Sequence, residues 1–181
     1  MHLDTPDLAI ISACLKGDRR AQRLLYERYK IPMFTVCLRY GANRMEAEDM
    51  LQEGFVAVFK DLYQYDAAKG EFRHWLKRVI VNAALQVLRK QKLQYVELND
   101  GYHQVEAQDV TIISELSTQE LVKMIQLLPV GYRTVFNLYV MDGLSHQEIA
   151  SELKITESTS KTQLFKAKKL IQKMITALEA A

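Results

Sequence analysis

Apolar residues in this chain recur at helical spacing and almost nowhere alternate with the two-residue period of a strand. Leu51, Phe55, Val58 and Leu62 follow i, i+4, i+7, i+11, and Phe72, Leu76, Val79 and Ala83 form a second stripe of similar period. Leu164, Ala167, Ile171, Met174 and Leu178 make a third. Each stripe is one helix face turned to a core, so the fold class expected is all-α. Capping signals bound the stripes. Thr5 before Pro6 suits a first N-cap, and Gly17 ends one helix before Asp18 caps the next. Asn43 with Glu46, Ser117 with Glu120 and Ser145 with Glu148 each place a cap residue three positions before an acid. Pro129 suits the first turn of a further helix, which Asp142 and Gly143 stop. The expected helices run near 8–16, 18–40, 44–64, 71–92, 118–127, 130–141, 145–153 and 156–178.

Residues 93–116 break this pattern. They lack sustained helical periodicity and exceed the roughly 12 to 15 residues usual for an unstructured loop within a compact domain. Two small helical domains are therefore expected, over 1–92 and 117–181, with 93–116 as a linker. The distribution of charge sharpens that division, although the net charge is only +2. Residues 69–92 hold seven Lys or Arg against Glu71 alone, and 154–173 hold six lysines against Glu157 alone. The linker between them has no Lys or Arg and five acids: Glu97, Asp100, Glu106, Asp109 and Glu115. Two basic stretches on separate domains fit a protein that touches a polyanion in two places.

Composition narrows the classes. With 49% hydrophobic residues the chain can build packed cores. It shows neither a leader-like segment nor an apolar run near the roughly 18 residues of a membrane span, so no membrane insertion and a cytoplasmic location are expected. The two cysteines, Cys14 and Cys37, sit on apolar helix faces and read as buried thiols. The four histidines are scattered, with no HExxH spacing and no glycine-rich phosphate loop, so no metal, no cofactor and no catalytic residues are expected.

The C-terminal pair of helices carries the clearest chemistry. Ser145 caps the first, Ile149 and Leu153 give it an apolar face, and Ala150 is small where two helices cross. A short turn through Lys154 and Ile155 leads to Thr156, the cap of the second. Ser160, Lys161, Thr162, Phe165, Lys166 and Lys169 are then candidates for the face presented to DNA, with short polar groups at base edges and ammonium groups at phosphates. Two positions depart from the usual helix-turn-helix: Lys154 stands where glycine often makes the turn, and Ser160 where a branched apolar residue is common.

In the N-terminal half, Glu46, Asp49 and Glu53 share one side of a helix with Gln52 and Val56, a mixed acidic and apolar face suited to a partner helix bearing arginines. The loop that follows holds Tyr63, Tyr65, Asp66 and Gly70, and the next helix carries Arg78, Asn82, Gln86 and Arg89 on its polar face. Rings beside cations suit unpaired bases, which stack on aromatic planes while positive charge follows the backbone. Trp75 reads as core.

In order and spacing these features resemble the extracytoplasmic-function group of the sigma-70 family, from about Leu8 to Ile175. The marks are the run from Glu46 to Phe55, then Gly70, Phe72, Trp75, Leu76, Arg78 and Asn82, and in the last domain Leu128, Pro129, Tyr132, Arg133, Gly143, Leu144, Ser145, Glu148, Ile149, Ala150 and Leu153. The resemblance implies a transcription initiation factor, not an enzyme, that binds core RNA polymerase through the β′ clamp helices and the β flap, and also binds promoter DNA. It implies polymerase docking by Asp49, Gln52, Glu53 and Val56. Tyr65, Asp66, Phe72, Arg78, Asn82 and Arg89 would engage and open the minus-ten element, and the candidates on the last helix would engage the minus-thirty-five element. It further implies a linker that threads the polymerase channels, and, since many members of the family are held inactive by an anti-sigma factor, it leaves such a partner open here. Where much of the family has arginines on the last helix, this chain has lysines, which lack the bidentate fork that reads guanine and so favour phosphates and DNA shape.

Two other readings compete. A free-standing helix-turn-helix regulator needs neither the acidic docking face nor the aromatic loop. A small all-α hydrolase would need a catalytic constellation that the scattered histidines do not form.

Overall fold

The computed structural model of the chain describes residues 6–90 and 118–179. The described residues are helical and turn structure without a strand. The chain divides into two compact units, 1–92 and 93–181. The acidic linker, the Thr5 cap and the Ser117 cap lie outside the described residues.

The first unit contains α1 (Asp7–Leu15), α2 (Arg19–Tyr40), α3 (Arg44–Asp61) and α4 (Phe72–Lys90). Two single turns of 3-10 helix, Leu62–Gln64 and Ala67–Lys69, join α3 to α4. Gly17 takes a left-handed φ of 82° between α1 and α2, and the Asp18 carboxylate accepts from the Arg20 and Ala21 amides. Asn43 caps α3 by accepting from the Glu46 amide at 2.9 Å, while the Glu46 carboxylate reaches back to the Ala42 amide, one residue before the cap. The expected stripes close the core: Leu51, Phe55, Val58, Leu62, Phe72, Leu76 and Ala83 are buried, with Val79 at the margin. Each buried leucine, valine and phenylalanine among them contributes roughly 1.5–3 kcal/mol on leaving water. Where α3 crosses α4, Gly54 lies so close to Ile80 that an added Cβ would stand 2.5 Å from the Ile80 Cδ1. A glycine in mid-helix costs about 1 kcal/mol of helix propensity, and the close crossing is what it permits here. Cys14 and Cys37 are buried free thiols, and burial pushes Cys37 up to about 12.

The second unit packs α5 (Thr118–Leu127), α6 (Val130–Phe136) and α7 (His146–Leu153) against α8 (Glu157–Glu179). Pro129 sits just before α6 rather than inside it. The helix expected over 130–141 widens into a π turn over Asn137–Met141, which closes with the Asp142 amide bonded to the Asn137 carbonyl at 3.0 Å. The wider turn keeps Asn137 and Leu138 both inside and leaves Tyr139, Val140 and Met141 at the surface. On α8 Ser160, Gln163, Leu164, Ala167, Ile171 and Ile175 are buried, so the stripe runs on through Ile175. Leu178, expected inside, is 54% exposed. At 3.6 residues per turn the inward face drifts past Leu178 once the spacing lengthens to fours.

Candidate polymerase and nucleic-acid interfaces

On α3, helical geometry brings Asp49, Gln52, Glu53 and Val56 to one side, opposite Met50, Leu51, Phe55 and Val58 in the core. All four are exposed, Val56 at 65%. Met45, one turn before Asp49 and 69% exposed, extends the same face with a second apolar side chain. Sequence reasoning passed over Met45 because it falls outside the buried stripe; its exposure beside acids is what marks it. The face is thus a row of acids with an apolar group at either end, and a partner helix would meet charge in the middle and van der Waals contact at the margins.

The loop from Tyr65 to Glu71 is tied to itself. Its carboxylate Asp66 accepts from the Ala68 amide at 3.0 Å and lies 3.7 Å from the Lys69 ammonium. The Tyr65 hydroxyl donates to the Gly70 carbonyl at 3.1 Å, and Gly70 takes φ 143°, a backbone that favours glycine. Four rings gather at its base. Phe72 stands edge-on to Tyr65 with ring centres 5.1 Å apart and edge-on to Tyr29 at 5.5 Å, and it stacks on Trp75 at 5.7 Å. This corrects two expectations. Phe72, a candidate for DNA contact, is only 4% exposed and supports the loop from beneath. Trp75 is half-buried rather than core, so part of its ring remains available to solvent. Asp66, Arg78, Asn82 and Arg89 are exposed and Tyr65 is half-buried. Arg78, Asn82, Gln86 and Arg89 follow one polar side of α4, and Arg73 and His74 add exposed side chains at its start.

In the second unit Ser145 and Glu148 close a full capping box on α7, with the Ser145 amide donating to the Glu148 carboxylate at 2.8 Å. Lys154 makes the turn with φ 56° and ψ 44°, the one non-glycine residue at positive φ among the described residues. The Thr156 hydroxyl accepts from the Thr159 amide at 3.1 Å to start α8. Ser160 is a further correction: it is fully buried, and its Oγ lies 2.9 Å from the His146 Nδ1 of α7, out of reach of any ligand. The position usually filled by an apolar side chain is here filled by a hydrogen bond between the two helices. The imidazole also stacks on Tyr139 with ring centres 4.5 Å apart. Burial, then the nearby Lys161, with Lys168 adding and Glu157 opposing, hold His146 below the ordinary imidazole range. Lys161, Thr162 and Lys169 are exposed, and Phe165 and Lys166 are half-buried beside them. Lys161 lies 3.9 Å from Glu157, a loose surface pair that a phosphate could displace at little cost. Among the described residues no cluster of metal-ligating side chains occurs.

The first unit carries a partner-type face and an aromatic, cationic loop and helix, while the second is a helix-turn-helix with a lysine-bearing last helix. The family description "Sigma-70 region 2" matches residues 25–94, and "Sigma-70, region 4" matches 118–171. The ECF RNA polymerase sigma factor SigW of Bacillus subtilis is 31% identical over 173 residues, covering 88% of this chain and 91% of that protein. The ECF RNA polymerase sigma-E factor of Escherichia coli K12 is 26% identical, covering 95% of each chain. A solved structure of the sigma factor RpoE with the anti-sigma factor NepR from Bartonella quintana is 16% identical, covers 93% of each chain and has a TM-score of 0.49. The chain belongs to the extracytoplasmic-function group of the sigma-70 family and is a transcription initiation factor that directs RNA polymerase to promoters. A match to region 2 disfavours a free-standing helix-turn-helix regulator.

Proposed function

We propose that the exposed α3 face of Asp49, Gln52, Glu53 and Val56, lengthened by Met45, docks on the β′ clamp helices of core polymerase. The Tyr65–Gly70 loop with Arg78, Asn82 and Arg89 then captures and opens the minus-ten element. Lys161, Thr162, Phe165, Lys166 and Lys169 of α8 hold the minus-thirty-five element while the same unit meets the β flap. The observation that carries this reading is the co-occurrence in one small unit of two distinct exposed faces, one acidic and apolar, one aromatic and cationic. A polymerase partner and an unpaired strand need those two chemistries side by side. An anti-sigma partner would compete for the α3 face. The chain does no bond-making of its own, needs no cofactor, and works in the cytoplasm. Among the described residues no helix is long and apolar enough to cross a membrane.

The test is run-off transcription with purified chain and bacterial core polymerase on a library of genomic fragments. Specific transcripts from a defined promoter set are expected, and absence of core binding refutes the reading. Asp49→Arg with Glu53→Arg is expected to weaken core binding by at least ~30-fold, because two attractive contacts become repulsive, with the helical circular-dichroism signal retained. Unchanged affinity would remove α3 from the interface.

A further inference from the structure

From α1 a line of contacts runs to the loop proposed to open the strands, and its first members, Asp7 and Tyr29, belong to neither the docking face nor the DNA face. Asp7, the first residue of α1, accepts on one carboxylate oxygen from the Arg28 guanidinium at 2.6 Å and on the other from the Tyr29 hydroxyl. Burial, followed by that hydrogen bond, pushes the Tyr29 phenol well above its ordinary range, so it stays protonated and donating. The Tyr29 ring is buried and stands edge-on to Phe72, and Phe72 in turn contacts Tyr65 and Trp75. Tyr65 also contacts Trp75, with ring centres 5.8 Å apart, and its hydroxyl holds the Gly70 carbonyl. Three helices and the loop thus meet through one carboxylate and four rings. Edge-to-face contacts are directional, so a rotation of the Tyr29 ring is passed to Phe72 and from there to both rings at the mouth of the loop.

We propose that Asp7 and Tyr29 are positioning residues for promoter opening: the carboxylate fixes the Tyr29 hydroxyl, the Tyr29 ring fixes Phe72, and Phe72 sets Tyr65 and Trp75 at the angle that receives an unstacked base. This rests on the proposed role of the loop. It gives α1 a task in opening although no residue of α1 belongs to the faces proposed to meet polymerase or DNA. A hydrogen bond to a charged acceptor is among the stronger kind, and losing it loosens the ring without emptying the core, since Tyr29→Phe keeps every ring contact.

The experiment uses the full chain in holoenzyme and a promoter selected by it, carrying 2-aminopurine in the minus-ten element, beside the same promoter with that element already unpaired. Tyr29→Phe is expected to slow opening of the duplex about tenfold, with core affinity and transcription from the unpaired template within twofold of the parent. Asp7→Ala, which also releases Arg28, is expected to slow opening at least as much, and the double variant to be no slower than Asp7→Ala, because Tyr29→Phe removes a bond that Asp7→Ala has already lost. Asp7→Asn, which still offers an acceptor to the hydroxyl, keeps most of the rate. Parental opening by Tyr29→Phe overturns the proposal, and so does an equal loss on duplex and unpaired templates, which would mark a general fault in folding or docking. Tyr65→Ala and Asn82→Ala serve as references. If they slow opening and Tyr29→Phe does not, only the positioning role fails; if they leave opening unchanged, the role of the loop itself fails.

Discussion

The two units hold their functional faces in place by different means. In the first, the loop and α4 rest on a cluster of rings, Tyr29, Phe72, Tyr65 and Trp75, and Arg39 is the one buried charged side chain among the described residues of that unit. In the second, Arg133, Thr134, Asn137, Ser160 and Gln163 are all buried, and α7 meets α8 partly through the Ser160–His146 hydrogen bond. Ring packing is stable over pH and fails when volume is lost. A polar interior tolerates small losses of volume and fails when a partner or a protonation state changes. The face proposed to open the strands is therefore held mainly by packing, with the Asp7–Tyr29 bond at one end of its rings, and the face proposed to hold DNA is tied to the chemistry of its surroundings.

The largest effect that tests this contrast is Phe72→Ala. Removing the ring that touches three others is expected to cost the first unit about 3–5 kcal/mol, read from urea unfolding followed by Trp75, the only tryptophan of the chain. Hydrogen exchange across α7 and α8 should stay as in the parent. If exchange there rises equally, the units do not fold independently and the contrast breaks. Next in size is Gly54→Ala. Its methyl would stand 2.5 Å from the Ile80 Cδ1, so α3 and α4 must separate or Ile80 must turn, at about 1–3 kcal/mol, again confined to the first unit. A gain in stability there would mean that the crossing has slack.

Most of the framework was legible because burial and helical period coincide. The stripes of α3 and α4, the Asp18, Asn43 and Ser145 caps, and the stop at Gly143 follow from local rules that packing did not override. The errors lie where one residue answers to two rules. Phe72 belongs to the apolar stripe of α4, and the stripe outweighs the resemblance that offered its ring to DNA. Ser160 reads as surface by polarity, yet it is inside because His146, fourteen residues earlier, supplies a partner that no local pattern reveals. Met45 was invisible for the opposite reason, as an apolar residue facing solvent. Whether α3 and α8 reach polymerase and DNA is legible only through the family.

The pH dependence separates the units more finely. His146 is held below the ordinary imidazole range when folded, by burial first and then by Lys161, so the unfolded chain takes up a proton more readily than the folded one. The second unit's stability is therefore full above an unfolded pKa of about 6.5 and declines as pH falls below it, until the folded group also titrates. The second unit should loosen between pH 7 and pH 5.5, seen as faster exchange in α7 and the start of α8, while Trp75-monitored unfolding of the first unit stays level. Ser160→Ala should cost about 1 kcal/mol at pH 7 and change the pH dependence, because the imidazole loses the hydroxyl. An identical pH profile in that variant would show that the Ser160 bond does not set the behaviour of His146.

The smallest expected effect concerns Lys154, and it probes the turn rather than the core. A side chain at φ 56° crowds its own carbonyl, and glycine at that place would relieve the crowding while adding freedom to the unfolded chain. The two nearly offset, so Lys154→Gly is expected to stabilise the second unit by no more than ~1 kcal/mol. Its influence on DNA binding separates two roles for the lysine. If Lys154 only turns the chain, affinity and its salt dependence stay as they were. If it also meets a phosphate beside Lys161 and Lys166, the slope of log affinity against log salt falls by about one, the change expected for Lys161→Ala or Lys166→Ala. In that second case a residue strained at the turn is retained for its charge, and the polar construction of this unit extends from its interior to the turn between α7 and α8.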